Sequence, residues 1–398
     1  MAILNPILTP RRYLTVVLVT VISLHYFLST SSTEYGHLTS FGTLKEQMHL
    51  TSVTTNTSTI ALAEPYNHST ALQPVHNNND THFSHGRRAN ATFVFLCRNS
   101  DLNGVVSSIV SMEDRFNRAY SYPWVFLNDE EFTEEFKQRV RVLTDAPMSF
   151  GVIPREHWVQ PDWIDENRAR QGRMKLMNQR VIYGGSIPYR NMCRFNSGFF
   201  FQHELLQPYR YYWRVEPNVK FFCGLDYDPF LYMEEHDKVY SFTISLLEHQ
   251  PTVPTLWDSV KEFISEYPYF IEPENAMNFI SDDGGEKYNL CHWWSNFEIA
   301  DMDFWRGEAY TKFFEFLEAK GGFYYERWGD APVHSIAAAL FARKDQIHFF
   351  RDIGYRHEDF QHCPSGIQWS AGRCACDPKD TFDYSQASCL PRFEGLFQ

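Results

Sequence analysis

Neither a GxxxxGK[ST] loop, a GxGxxG fingerprint nor a GxSxG elbow occurs in the 398 residues. Their absence removes the P-loop, Rossmann-dinucleotide and serine-hydrolase readings, each of which needs a backbone approach that those glycines supply. A basic block is missing too. Lys and Arg number 36 against 49 Asp and Glu, a formal net charge of −13, which argues against the clustered positive surface of a nucleic-acid binder. Cysteine is sparse. Eight residues are too few to scaffold a chain of this length, but Cys363, Cys374, Cys376 and Cys389 crowd its end, where little periodic pattern holds the backbone. Two staples are expected there, with unreadable pairing; a zinc site is the weaker alternative, because Cys-x-Cys is not the usual Cys-x-x-Cys knuckle. No Gly-, Pro- or Ser-rich linker and no repeat divides residues 90–398, so one domain is expected.

What is present begins with an apolar run, LTVVLVTVISLHYFL (14–28), free of Asp, Glu, Lys and Arg. As a helix rising ~1.5 Å per residue it spans about 23 Å, short for a ~30 Å hydrocarbon core but workable in a thin bilayer once Tyr13 and the flanks extend it. Arg11 and Arg12 keep its amino side cytosolic. No clear small-x-small cleavage site follows, which favours an uncleaved anchor over a signal peptide. The reading is a cytosolic tail at 1–12, a transmembrane signal anchor at 13–29 and a lumenal remainder. Sequons at Asn56, Asn67, Asn79 and Asn90 agree with a secretory lumen. Residues 30–88, rich in Ser, Thr, Asn and His, read as a flexible glycosylated stem ahead of a catalytic-size domain at 89–398.

Within that domain, ATFVFLCRN (91–99) and YPWVFLND (122–129) are β-rich apolar runs. Between them Leu102, Val105, Val106, Ile109, Met112 and Phe116 recur at helical spacing, and Phe132, Phe136, Val140 and Leu143 do so before a third run, SFGVIP (149–154). Such βαβαβ alternation predicts an α/β fold with a mainly parallel sheet flanked by helices. Ligands of such sheets gather at the carboxyl ends of the strands. Arg98 and Asn99 stand at one such end, Asn128 and Asp129 at another. Further strands are expected at 210–215, 239–244 and 346–350, and helices near 254–267, 304–320 and 331–343.

YYWRVEPNVKFF (211–222) suits a buried strand yet carries Glu216 immediately before Pro217. Proline lacks an N–H, so the strand ends there and leaves Glu216 at its lip. A carboxylate so placed can hold Mn²⁺ or Mg²⁺ against the phosphates of a nucleotide. His357, in GYRHEDFQHCP (354–364), is the chosen second ligand, with His362 behind it; a surface Glu and a loop His are the plainer alternative. Glu298 lies among Trp293, Trp294, Phe297 and Ile299, where a buried carboxylate needs a partner. It is either a nucleophile or brace for a developing oxocarbenium ion, or one half of a core salt bridge to Arg306 or Arg327. Asp330, before Ala331-Pro332, reads as a helix N-cap that can also accept from a sugar hydroxyl. Tyr183 and Tyr189 are placed on a Gly-containing loop within reach of a phosphate or sugar, with ordinary packing as the alternative.

Taken together, SDLNGVVSSIVSMEDRFNRAYSYPWVFLNDEEFTEEF, YRNMCRFNSGFFF, YYWRVEPNVKFFCGLDYDPFLYM, YNLCHWWSNFEIADMDFWR, YYERWGDAPVHSIAAALF and GYRHEDFQHCP resemble the fungal Golgi α-1,2-mannosyltransferases of glycosyltransferase family 15. The resemblance runs from residue 90 to residue 364 and includes the anchor-plus-stem plan. It implies a GT-A fold, GDP-mannose as donor, Mn²⁺ as cofactor, and retention of the α configuration as mannose passes to the 2-hydroxyl of a mannose-terminated glycan acceptor. Position by position it implies metal ligands at Glu216 and His357 and a nucleophile at Glu298, unless the reaction runs through a front-side ion pair. Tyr183, Tyr189, Arg214 and Asp330 match donor- or acceptor-site residues, and Arg98 a nucleotide contact. Two departures stand out. Where the family often shows EPD and CD-x-DYD, this chain has Glu216-Pro217-Asn218 and Cys223-Gly224-Leu225-Asp226-Tyr227-Asp228, which is expected to weaken metal affinity or alter acceptor choice. The departures also keep a non-catalytic glycan-binding escort of the same fold in view, and paired carboxylates keep a glycosidase in view.

Overall fold

A computed structural model describes residues 87–398. In chain order its strands are β1 (Ala91–Leu96), β2 (Trp124–Asn128), β3 (Met148–Val152), β4 (Tyr211–Val215), β5 (Lys220–Phe221), β6 (Tyr240–Phe242), β7 (Ser245–Leu247), β8 (Cys291–Trp293), β9 (Ile299–Asp301), β10 (Ile347–Phe349), β11 (Tyr355–His357) and β12 (Phe360–His362). The main sheet runs β10-β6-β9-β4-β1-β2-β3, parallel throughout except for β9, which is antiparallel to both neighbours. Two-residue periodicity sorts its side chains between two cores. Phe93, Phe95, Trp124, Phe126, Tyr211 and Trp213 face one; Val94, Val125, Leu127, Tyr212 and Tyr240 face the other. Burial on both faces explains the nearly continuous apolar strands, and each fully buried large side chain contributes about 1.5–3 kcal/mol.

Helices cover both faces. α1 (Leu102–Met112) buries Leu102, Val105, Ile109 and Met112, as its spacing predicts, and continues through a π turn at Glu113–Asn117. α2 (Glu134–Arg141) starts where the Thr133 hydroxyl accepts from Phe136 N at 3.2 Å. α3 (Glu166–Asn178) has no counterpart in the expected elements, and α4 (Ile187–Gly198) takes up much of the Gly-containing loop read above, so Tyr189 stands in a helix and only Tyr183 in a turn. Their pattern is masked because α4 turns Arg190, Asn191, Arg194 and Asn196 inward. Arg190, for instance, donates to the carbonyls of Glu326 (3.1 Å) and Ser186 (2.9 Å). α5 (Leu256–Glu266) matches expectation. The helix expected at 304–320 divides at Gly307 into Met302–Arg306 and α6 (Glu308–Lys320). α7 (Asp330–Phe341) is buried along most of its length, in keeping with its run of alanines.

The cysteine-rich end is stapled differently from expectation. Only Cys363–Cys376 closes within it; Cys223–Cys374 and Cys291–Cys389 tie it to the body of the domain, and the zinc alternative falls because all four sulfurs are in disulfides. The antiparallel ribbon β12-β11-β5 is fixed by the same ties. Among the described residues no helix is long and apolar enough to cross a membrane. The expected anchor, the stem and the sequons at Asn56, Asn67 and Asn79 lie outside the described residues. Asn90 is exposed, its amide donating to the Pro208 carbonyl at 2.8 Å.

Candidate active site

A cleft of about 560 Å³ opens at the carboxyl ends of β1, β2 and β4. Arg98, Tyr183, Tyr189, Arg214, Glu216, Asp330 and His357 all line it. Glu298 does not.

Strand β4 explains the charged centre. Arg214 shares the parity of Tyr212, and Glu216 follows the last strand residue. The turn after Pro217 is held by α1: Asn218 N donates to the Gly104 carbonyl at 3.1 Å, Val219 N to the Ser108 hydroxyl at 3.1 Å, and that hydroxyl to the Glu216 carbonyl at 2.8 Å. Asn218 adopts φ +66°, a left-handed conformation that asparagine tolerates. A Cβ at Gly104 would stand 2.7 Å from the Asn218 amide nitrogen, so that side chain would have to shift. Pairing of Tyr355 with Phe221 and of Arg356 with Lys220 then carries His357 to the same turn.

The result is a chain of opposite charges. Arg214 donates through Nη1 to Asp330 Oδ2 (2.6 Å) and through Nη2 to Glu216 Oε1 (2.5 Å), and Ser295 also donates to Asp330 Oδ2 (2.8 Å). Glu216 Oε2 faces His357 Nε2 at 3.1 Å. Burial disfavours the charged form of Glu216, but Arg214 and His357 outweigh it and hold the carboxyl at about 2. Burial likewise opposes protonation of His357, yet the hydrogen bond and charge of Glu216 raise it above the ordinary histidine value. Asp330 departs from its expected place: Gly329 is the N-cap and Asp330 the first helical residue, its carboxylate turned to Arg214 and Ser295.

Glu216 and His357 offer one carboxylate oxygen and one imidazole nitrogen, a donor set that suits Mn²⁺. Arg214 holds Oε1, so Oε2 and the His357 Nε2 that faces it are the atoms that would hold a cation. No cluster of three or more ligating side chains occurs among the described residues.

Tyr183 and Tyr189 form an aromatic wall, stacked with centroids 4.6 Å apart, and the Arg327 guanidinium lies 5.0 Å from the Tyr189 ring centroid. Arg98 is exposed at the end of β1, its backbone N–H donating to Asp101 Oδ2 at 2.9 Å. Sequence reasoning missed the lining residues Trp158, Glu248, His292 and Ser295, whose local sequence carries no signal, and gave Arg327 a different partner. Arg327 pairs with Glu248 at 3.9 Å, and Arg306 donates to the carbonyls of Phe201, Leu206 and Tyr209, so neither is the partner of Glu298. That partner is His334. His362 is held by Asp383 and does not line the cleft. Neither departure from the family pattern lines the cleft either: Asn218 packs on Gly104, and Gly224 N donates to the Gly372 carbonyl at 2.8 Å.

A mostly parallel sheet that gathers a carboxylate, an imidazole, a guanidinium and stacked aromatics at its strand ends defines a GT-A type glycosyltransferase. The family model described as glycolipid 2-alpha-mannosyltransferase matches residues 44–396, and the chain belongs to that family and is a mannosyltransferase. It is 53% identical over 307 residues to glycolipid 2-alpha-mannosyltransferase 2 of Candida albicans, covering 77% of this chain and 67% of that protein. It is 51% identical over 312 residues to the O-glycoside alpha-1,2-mannosyltransferase omh1 of Schizosaccharomyces pombe, covering 78% and 80%. Among solved structures, the mannosyltransferase Ktr4p of S. cerevisiae in complex with GDP superposes with a TM-score of 0.75 at 41% identity, covering 78% of this chain and 82% of that one. Core-mannan synthase A of Aspergillus fumigatus, in an Mn/GDP form, gives 0.74 at 40%, covering 84% and 91%.

Proposed function

We propose that the protein is a retaining α-1,2-mannosyltransferase that takes mannose from GDP-mannose and adds it to the 2-hydroxyl of a terminal mannose in protein O- or N-glycans. The observation that carries this reading is the Glu216–His357 pair at the strand ends, adjoining the Arg214–Asp330 ion pair in a family whose solved relatives hold GDP. Glu216 and His357 would hold a Mn²⁺ ion, which when bound would supply positive charge against the departing diphosphate, worth several kcal/mol in such sites. Arg98 contacts the nucleotide at the end of β1. The Tyr183–Tyr189 wall presents ring faces to the sugars, and Asp330 accepts from an acceptor hydroxyl and so orients it. Three disulfides, the Asn90 sequon and the run at 14–28 support a type II protein of the Golgi membrane with its catalytic domain in the lumen.

The purified enzyme, incubated with GDP-mannose, Mn²⁺ and a panel of mannosides, is expected to form a new α-1,2 linkage, read by NMR of the product. Release of free mannose from a glycan without nucleotide would instead mark a glycosidase. Absence of turnover and of GDP binding would mark an escort.

A further inference from the structure

Beneath the cleft, His334 is fully buried with both ring nitrogens engaged: Nδ1 faces Glu298 Oε2 at 3.1 Å and Nε2 faces the Asn196 carbonyl at 3.0 Å. A carbonyl oxygen only accepts, so Nε2 carries a hydrogen and donates it. The far side of Glu298 is equally determined. Trp305 Nε1 can only donate, and it donates to the Tyr212 hydroxyl (3.0 Å), which donates in turn to Glu298 Oε1 (2.7 Å). One proton is left for the Nδ1–Oε2 contact, because without it two lone pairs would face each other in a dry interior. Whichever atom carries that proton, the pair is neutral as a whole and each Glu298 oxygen has a protein partner.

His334 stands four residues after Asp330 on α7, one turn along the same face. The Asn196 carbonyl belongs to α4, and the backbone carbonyl of Glu298 accepts from Arg214 N at 2.9 Å. The same residues therefore join α7, α4 and β4 directly under the charged centre. We propose that His334 is a positioning residue of the transfer reaction: by sharing one proton with Glu298 and donating to Asn196, it pins the first turn of α7 and aims Asp330 into the cleft. Glu298 is then the other half of this clamp and is not the atom that attacks the donor, since its side chain is only 1% exposed and does not line the cleft. This inference rests on the transferase reading above.

Glu298→Gln tests it, because glutamine can accept from Tyr212 through its carbonyl and donate to Nδ1 through its amide. E298Q is expected to keep kcat within about tenfold of wild type, with KM for GDP-mannose unchanged. E298A and H334A, which break the clamp, are expected to lose at least about 100-fold in kcat through misplacement of Asp330 while still binding GDP. Folded E298Q as inactive as E298A, or a mannosyl adduct on the peptide bearing Glu298 during turnover, would overturn the proposal. Should E298A or H334A fail to fold, E298Q and the adduct search still decide. If the wild type transfers nothing, the transferase reading fails, and ¹⁵N NMR of His334 still tests the clamp: a proton on Nε2 supports it and a bare Nε2 overturns it.

Discussion

Two glutamate–histidine pairs in this protein have the same chemistry and the same 3.1 Å separation, yet they sit in opposite surroundings. Glu216 and His357 keep 24% and 16% of their side chains exposed; Glu298 and His334 keep 1% and 0%. In the open pair, one carboxylate oxygen is held by Arg214 and the other faces an imidazole across a gap that the cleft can reach. In the sealed pair, every polar atom already has a protein partner. A carboxylate beside an imidazole is thus no assignment in itself. Access and unused bonding capacity decide whether the pair receives a ligand or holds the fold.

The comparison breaks most clearly under alanine. E216A should lower kcat/KM by at least about 10³-fold, equivalent to about 4 kcal/mol, in a protein that still folds. The two histidines should then divide by stability. H334A leaves Glu298 buried without its partner and opens a cavity, costing about 3 kcal/mol in denaturant unfolding, whereas H357A should cost less than about 1 kcal/mol and still abolish transfer.

The open pair also titrates. A carboxylate held at about 2, against its ordinary 4.5, adds stability above 4.5 that is lost as pH falls toward 2. The unfolding free energy of metal-free E216Q should therefore be flatter with pH in that window than that of the wild type. His357 has the opposite sign: its raised value makes its contribution complete below the ordinary 6.5 and lost as pH rises through the folded value, a slope that H357A should remove. The smallest effect is expected at exposed Arg98, where R98A should weaken GDP binding about five- to tenfold, or roughly 1 kcal/mol, by calorimetry.

How far each pair could be read from sequence follows from where its partners come from. Glu216 was legible because Pro217 marks a strand end in local sequence, and β1 to β3 were legible because their apolar periods are unbroken. The proximity of His357 depends on the β5–β11 pairing, which no local signal carries; resemblance supplied it. For Glu298 the salt-bridge alternative names an arginine, and neither arginine is its partner. Charge complementarity favoured Arg306 or Arg327, while the residue that satisfies it lies 36 positions on, in an alanine-rich helix whose burial only tertiary packing reveals. α4 was hidden for a related reason, since its inward Arg190 and Arg194 donate to the Glu326 carbonyl and the Glu318 carboxylate, distant in sequence.

The account rests on the open pair being where a cation meets the donor. Crystals grown with GDP and Mn²⁺ and measured at the manganese edge test that most directly. An anomalous peak within bonding distance of both Glu216 Oε2 and His357 Nε2 is the predicted result. A peak elsewhere, with the two side chains still hydrogen-bonded to each other, would contradict it.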